Sequence, residues 1–401
     1  MKRYQAFDPP EYATWTATEP AVTDFRERLA NDPVRLREVD SMSTEKRLDL
    51  YGGLLRFRLH DIALQRWVKQ GVISKAWLGT GEEAVTIGAV HALDRAGDRG
   101  DVVAPMIRNA GACHEMGMPV ADLLKGYLGS ADAPTGGRDL HVGDLRHGVI
   151  APISMVGAVA TVVNGYALAF VRRGESRLAL TWIGDGATKH GEVHEALNFA
   201  AVMKLPVIFV IQNNQVALGT RLEQHHRAPD FSGWGDAYGA RLLSVDGNNV
   251  LDMYAATRLA AAQCRAGEGP VFIAADTFRM GGHATHDVRE ARRTFAPELF
   301  RDWGRRDPIG LYEEYLVRAE WELGDESAES LEERNRMALE RIEARMIAEV
   351  EAAADEALLS RTAEMPEPSS ALTGCYASDD LVRPWYRSVA GEDAAGRSGS
   401  E

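Results

Sequence analysis

Residues 182–220, WIGDGATKHGEVHEALNFAAVMKLPVIFVIQNNQVALGT, constrain the fold more than any other part of the chain. The β-type run LALTWI (178–183) enters a glycine-rich turn, a helix follows to about Met203, and a second run, VIFVIQ (207–212), comes next. That order reads as a βαβ unit. With a third run, PVFIAADTF at 270–278, it predicts an α/β fold with a doubly wound, mostly parallel sheet. Asp185 then stands just past one strand, and Asn213 and Asn214 just past the next. Adjacent strands lie about 4.8 Å apart, so a carboxylate and an amide oxygen can converge on one hard cation such as Mg²⁺. Gly184 and Gly186 would let the backbone come close to an anion, with a helix N-terminus behind them. This geometry suits a metal–diphosphate site.

The rest of the composition narrows the partners. A net charge of −14 and a pI near 5.3 oppose a nucleic-acid partner. Cys113, Cys264 and Cys375 are odd in number and far apart, which fits a reducing compartment better than a disulfide framework. The opening MKRYQAFDPPEYATW has no apolar stretch of the secretory kind, so a cytoplasmic protein is expected. Val149 to Val171 is uncharged and long enough to span a bilayer. Its Pro152, Ser154, Thr161, Asn164 and many small residues instead predict a buried helix in close contact with neighbours, and no membrane association.

Residues 1–42 read as an N-terminal arm, 43–320 as the α/β domain, 321–388 as a C-terminal helical region and 389–401 as a disordered polar tail. Leu48, Tyr51, Leu54, Leu55, Ile62 and Leu64 recur at near-helical spacing and predict an amphipathic helix over 43–71. Leu331, Leu339, Ile342, Met346, Val350 and Leu358 mark another helix over 329–360, packed on its own domain or on a sister subunit. GGHATHDVREARR, which begins two residues before His283, reads as a loop of the sort that carries chemistry. His190, Glu192 and His194 superficially suggest a zinc hydrolase. The glutamate is one residue too far from the first histidine for that pattern, so a helix-surface reading is preferred.

Gly-Asp-Gly with Asn-Asn after the 26 intervening residues 187–212 resembles the thiamine-diphosphate motif. Segments GTGEEAVTIGA (79–89), GGRDLHVG (136–143), SMVGA (154–158), HEALNFAAVMKLPVIFV (194–210), FRMGGHATHD (278–287) and WGRRDPIGLYEEYL (303–316) extend the likeness over about residues 45–385. Together they are similar to the alpha subunits of branched-chain 2-oxo acid and pyruvate dehydrogenases. The GRDLHVG and GHATHD forms lean toward the branched-chain members.

The resemblance implies oxidative decarboxylation of a 2-oxo acid and transfer of the acyl group to a lipoyl-bearing acyltransferase. It implies a tetramer of two alpha and two beta chains, with thiamine diphosphate and Mg²⁺ as cofactors. Position by position, it assigns Asp185, the Asn214 side chain and the Val216 carbonyl to Mg²⁺. Cofactor contacts would come from Gly184, Asp185, Gly186 and Ala187 in the turn, from Arg108, Gln212, Arg279 and His283, and from Ser154 and Val156 at the aminopyrimidine ring. His283 would be the catalytic acid or base. Three positions depart from the pattern: Ile107 replaces a common tyrosine, Ala158 and Val159 remove oxygen ligands of a monovalent cation, and Ala284 replaces a regulatory serine. Pyruvate or acetoin dehydrogenase alpha subunits are the alternatives, as is a non-catalytic structural subunit with the same fold. A self-sufficient decarboxylase or acetolactate synthase would need a second cofactor-binding domain, and none is evident.

Overall fold

The computed structural model describes residues 18–372 except Pro229, Asp325 and Glu326. Cys375, the start of the arm and the polar tail lie outside the described residues. Five strands, β1 (Val102–Ala104), β2 (Ala179–Gly184), β3 (Val207–Asn213), β4 (Arg241–Asp246) and β5 (Val271–Asp276), form a parallel sheet in the order β1-β2-β3-β5-β4. β1 and β4 were not anticipated from the sequence. β1 is three residues long, and β4, at the sheet edge, mixes exposed and buried positions without a clean alternation. The central strands β2 and β3 are buried almost throughout, as apolar runs covered on both faces must be.

Eight helices matter to the argument: α1 (Glu19–Ala30), α2 (Pro33–Asp40), α3 (Thr44–Lys69), α4 (Glu83–His91), α5 (Val159–Arg173), α6 (Gly191–Val202), α7 (Val250–Arg265) and α8 (Leu331–Ala363). α5 and α6 cover one sheet face, packing Val163, Ala167, Phe170, Leu197 and Ala200 against Ile183 and Phe209. α4, α7 and α3 build the larger core on the other face.

α3 corrects the amphipathic reading. Ser43 caps it by accepting from the Lys46 amide at 3.2 Å. From Leu50 to Leu55 every residue is buried, and so are Arg47, Arg58, His60, Asp61 and Gln65. Three of the charged interruptions, Arg47, Arg58 and Asp61, are interior rather than solvent-facing: Arg58 meets Glu83 on α4 and lies 2.9 Å from Asp307. Buried charges persist only when so matched. α8 follows its expected stripe, burying Leu339, Ile342, Met346 and Val350 against α3 and the helix Val120–Leu128.

Two further expectations change. The uncharged segment is not one buried helix from residue 149: α5 begins at Val159, residues 150–158 are irregular, and Thr161, Val162 and Gly165 are exposed. Pro152 and Gly157, whose φ is +83°, break the helix upstream. No helix among the described residues is long and apolar enough to cross a membrane. The stretch after His283 is a loop only to Asp287, because Val288–Thr294 is helical.

Asn249 ties α1 to α7. It caps α7 through the Leu251 and Asp252 amides, at 3.1 and 3.2 Å, and donates to the Phe25 carbonyl of α1 at 2.9 Å. Asn249→Ala is expected to cost about 1–2 kcal/mol. Chemical denaturation would measure it, and an unchanged midpoint would mean the cap contributes nothing.

Candidate active site

The carboxyl ends of four adjacent strands meet in one place: residues 105–108 leave β1, 185–187 leave β2, 212–216 end β3, and 277–283 leave β5. Ligands of open α/β sheets bind at such an edge. β2 pairs with β3 in a register that sets Gly184 beside Gln212, so Asp185 and Asn214 emerge from neighbouring strands as their spacing implied.

Asp185 is 1% exposed, and its Oδ2 has no hydrogen-bond partner. Burial, followed by the nearby Glu82 carboxylate, pushes its pKa up to about 6. A buried, unpaired carboxylate oxygen is costly and calls for an explanation such as a bound cation. Asn214 donates to Glu82 Oε1 at 2.9 Å and turns its Oδ1 toward the Val216 amide at 3.3 Å. Val216 starts a two-residue ribbon with Arg221 and Thr220. The residues therefore fit a divalent cation: one carboxylate, one amide oxygen and one carbonyl, hard oxygen donors of the kind Mg²⁺ takes. No cluster of three His, Cys, Asp or Glu suited to a metal occurs among the described residues.

The structure gives Gly186 a steric reason to be glycine. Neither Gly184 nor Gly186 has a positive φ. A Cβ on Gly186 would lie 2.3 Å from Ala217 Cβ, so the glycine is required by the contact with the ribbon. A 3₁₀ turn, Ala187–Lys189, also separates it from α6, so the helix N-terminus does not follow the turn directly.

Two buried guanidinium groups stand across the site. Arg108 donates to the carbonyls of Leu78 at 2.8 Å and His283 at 3.1 Å; Arg279 donates to that of Leu218 at 3.1 Å. Burial and then Arg108 lower the Arg279 pKa to about 10, as expected where two cations share a buried space. His283 Nδ1 lies 3.4 Å from Arg108 Nη2 and 3.5 Å from Arg279 Nη1. Burial first, then these two cations, push its pKa down to about 4. The ring is therefore neutral at pH 7, with Nδ1 facing donors and the proton assigned to Nε2.

A cleft of about 220 Å³ joins Arg108, His283, Ser154, Val156 and Ala187, with Trp77 and Trp182 in its wall. Ile107 also lines it and offers hydrocarbon rather than a hydroxyl. Gln212 stands behind the cleft: its amide donates to Glu82 at 2.6 Å and accepts from Asn109 at 3.0 Å. Sequence reasoning missed Glu82, which receives both the Gln212 and the Asn214 amides, keeps a buried Oε2 without a hydrogen bond, and sits 3.8 Å from Arg108. The available signal was two acids, Glu82 and Glu83, at the entrance of the otherwise apolar α4.

Fold and cleft together define an α/β protein that presents carboxylate, amide and guanidinium groups at the carboxyl ends of a parallel sheet. The chain belongs to the dehydrogenase E1 component family, which it matches over residues 54–359. It is 31% identical to the 2-oxoisovalerate dehydrogenase subunit alpha of Bacillus subtilis (strain 168) over 278 residues, covering 69% of this chain and 83% of the relative. It is 34% identical to the 3-methyl-2-oxobutanoate dehydrogenase subunit alpha of Mycobacterium tuberculosis over 268 residues, covering 67% and 69%. Identity to the pyruvate dehydrogenase E1 component subunit alpha of Acholeplasma laidlawii is 32% over 294 residues, covering 72% and 80%. Membership of this family implies thiamine diphosphate as cofactor.

Proposed function

We propose that this chain is the alpha subunit of a thiamine-diphosphate-dependent 2-oxo acid dehydrogenase, acting with a beta subunit and delivering the acyl group to a lipoyl-bearing acyltransferase. The observation that carries the reading is the meeting of a buried carboxylate, Asp185, whose Oδ2 makes no hydrogen bond, with the Arg108–Arg279 pair at one sheet edge. Thiamine diphosphate, when bound, supplies the nucleophilic carbon and the electron sink that decarboxylation needs. Asp185, Asn214 and the Val216 carbonyl would hold Mg²⁺, while Arg108 and Arg279 would donate to phosphate oxygens. Ser154 and Val156, on the cleft rim, would meet the aminopyrimidine through backbone groups.

Support for a beta partner comes from the same rim. Met155 and Val156 are 66% and 52% exposed, and Val162, Phe199 and Val202 continue an apolar surface over α5 and α6. Exposed apolar area of this kind marks an interaction site. Branched-chain 2-oxo acids are the favoured substrates, on the GRDLHVG and GHATHD forms and the names of two relatives. Pyruvate is the second reading, supported by the pyruvate dehydrogenase relative. Comparing kcat/KM of the assembled complex on 3-methyl-2-oxobutanoate and pyruvate decides between them, and activity on neither would sink the proposal.

His283 is neutral at pH 7 and would hold or accept a proton beside the reacting carbon. His283→Ala should leave cofactor affinity within about tenfold, roughly 1.4 kcal/mol, yet slow acyl transfer by ~10²-fold. Single-turnover transfer to a lipoyl acceptor measures this, and an unaffected rate would remove His283 from the chemistry. Phosphate charge beside Arg108 and Arg279 would offset the repulsion that lowers the His283 pKa, so that pKa should rise when thiamine diphosphate is added. NMR titration of the imidazole is the check; an unmoved pKa would count against diphosphate at the arginine pair.

A further inference from the structure

His225 ends the short helix Leu222–His225, in the segment that leaves β3 beyond the Val216 ribbon. Its Nε2 stands 3.3 Å from Asp185 Oδ2, and its side chain is 12% exposed. The two groups are close, yet they do not form a hydrogen bond. Asp185 Oδ2, His225 Nδ1 and His225 Nε2 are all buried without a hydrogen-bond partner. Asp185 Oδ2 and His225 Nε2, two facing orphan atoms, are a cost that folding rarely tolerates unless something else satisfies them.

Lys189 is not that partner. Its ammonium contacts His226 Nδ1 at 2.5 Å and lies over the rings of Phe231 and Trp234, at 5.5 and 5.7 Å. Two atoms that face each other without donor–acceptor alignment are placed as two ligands of one ion are placed. Bonds of about 2.1 Å to a common cation, with their far ends separated by 3.3 Å, subtend roughly 100°, an angle open to two neighbouring ligands of one ion.

We propose that His225 Nε2 is a further ligand of the divalent cation held by Asp185, Asn214 and Val216, and that this imidazole makes the centre favour a transition ion over Mg²⁺. The inference rests on the reading of Asp185, Asn214 and Val216 as metal ligands. An octahedral ion with three oxygen ligands from the chain keeps three positions for phosphate oxygens and water; His225 takes one of them. Imidazole suits first-row transition ions, whereas Mg²⁺ is served by carboxylate, carbonyl and water. The charge of the ion would also satisfy the Asp185 oxygen that the fold leaves unpaired.

The test uses the full chain assembled with its beta subunit, loaded with Mn²⁺ and thiamine diphosphate. Pulsed electron paramagnetic resonance should detect a directly bound nitrogen that changes isotope when histidine is labelled with ¹⁵N and disappears in His225→Phe. In that variant the preference for Co²⁺ over Mg²⁺, read by competition titration, should fall by about tenfold or more, while cofactor-dependent Mg²⁺ binding persists. His225→Gln guards against a packing defect, since it fills the space with no imidazole and should reproduce both losses. Ion binding that depends on Asp185 but shows no histidine nitrogen, with unchanged ion preference in both variants, would overturn the inference and leave the metal site standing. Absence of any Asp185-dependent ion binding would overturn both.

Discussion

Asp185→Asn is expected to reduce Mg²⁺-dependent binding of thiamine diphosphate by ~10²-fold or more, about 2.7 kcal/mol, with the chain still folded. Asn214→Ala should act in the same direction. Each removes an oxygen ligand or its charge from a cation with few protein ligands to begin with. Calorimetric titration with Mg²⁺ present measures the loss; full affinity in both variants would remove the metal assignment. Stability supplies a second, independent readout. Burial and the neighbouring Glu82 raise the Asp185 pKa to about 6. Between the unfolded value near 4 and about 6, the unfolded carboxyl is ionised while the folded one keeps its proton. Stability from this group therefore falls as pH rises through that window, and the penalty is in full force at pH 7. In the absence of metal, Asp185→Asn should leave thermal stability unchanged or raise it. A marked loss would indicate a structural carboxylate instead.

The chain by itself should be nearly inactive and bind cofactor weakly, and co-expression with its beta subunit should restore both. Thiamine chemistry needs a carboxylate near the pyrimidine ring, which the family resemblance assigns to the beta chain. The cleft is open along the rim formed by Ile153, Met155 and Val156, all exposed, so its apolar edge has no cover within the described residues. A partner that buries this rim would exclude water and strengthen every charge interaction inside. Activity and affinity of the separated chain, set against those of the co-purified complex, give the result. Decarboxylation by the chain alone at the rate of the complex would place the whole active site in one subunit.

The site was legible in the sequence to the extent that it is local. Asp185 and Asn214 could be paired because strand, turn, helix and strand fill a fixed interval, and the two strands proved adjacent and parallel. Arg108 and Arg279 came from resemblance, and His283 from resemblance together with the polar loop that holds it. They converge on one another because β1 and β5 end at the same sheet edge, which no spacing of residues 108, 279 and 283 could reveal. α3 was misjudged for a related reason. Periodicity treats a charged residue as a solvent-facing one, whereas Arg58 and Asp61 are interior groups whose partners lie on other segments.

Glu82 and His225 mark the limit on the other side. Glu82 reaches Gln212 and Asn214 across more than 100 positions, and His225 reaches Asp185 across 40. What the sequence by itself determined is the parallel sheet and the edge where its acid and amide stand, because backbone pairing and side-chain alternation obey short-range rules. Which groups then close on that edge, which charge is left unpaired and which apolar rim stays uncovered were decided only by tertiary packing, since desolvation and Coulomb interaction depend on distance in space and not on distance along the chain.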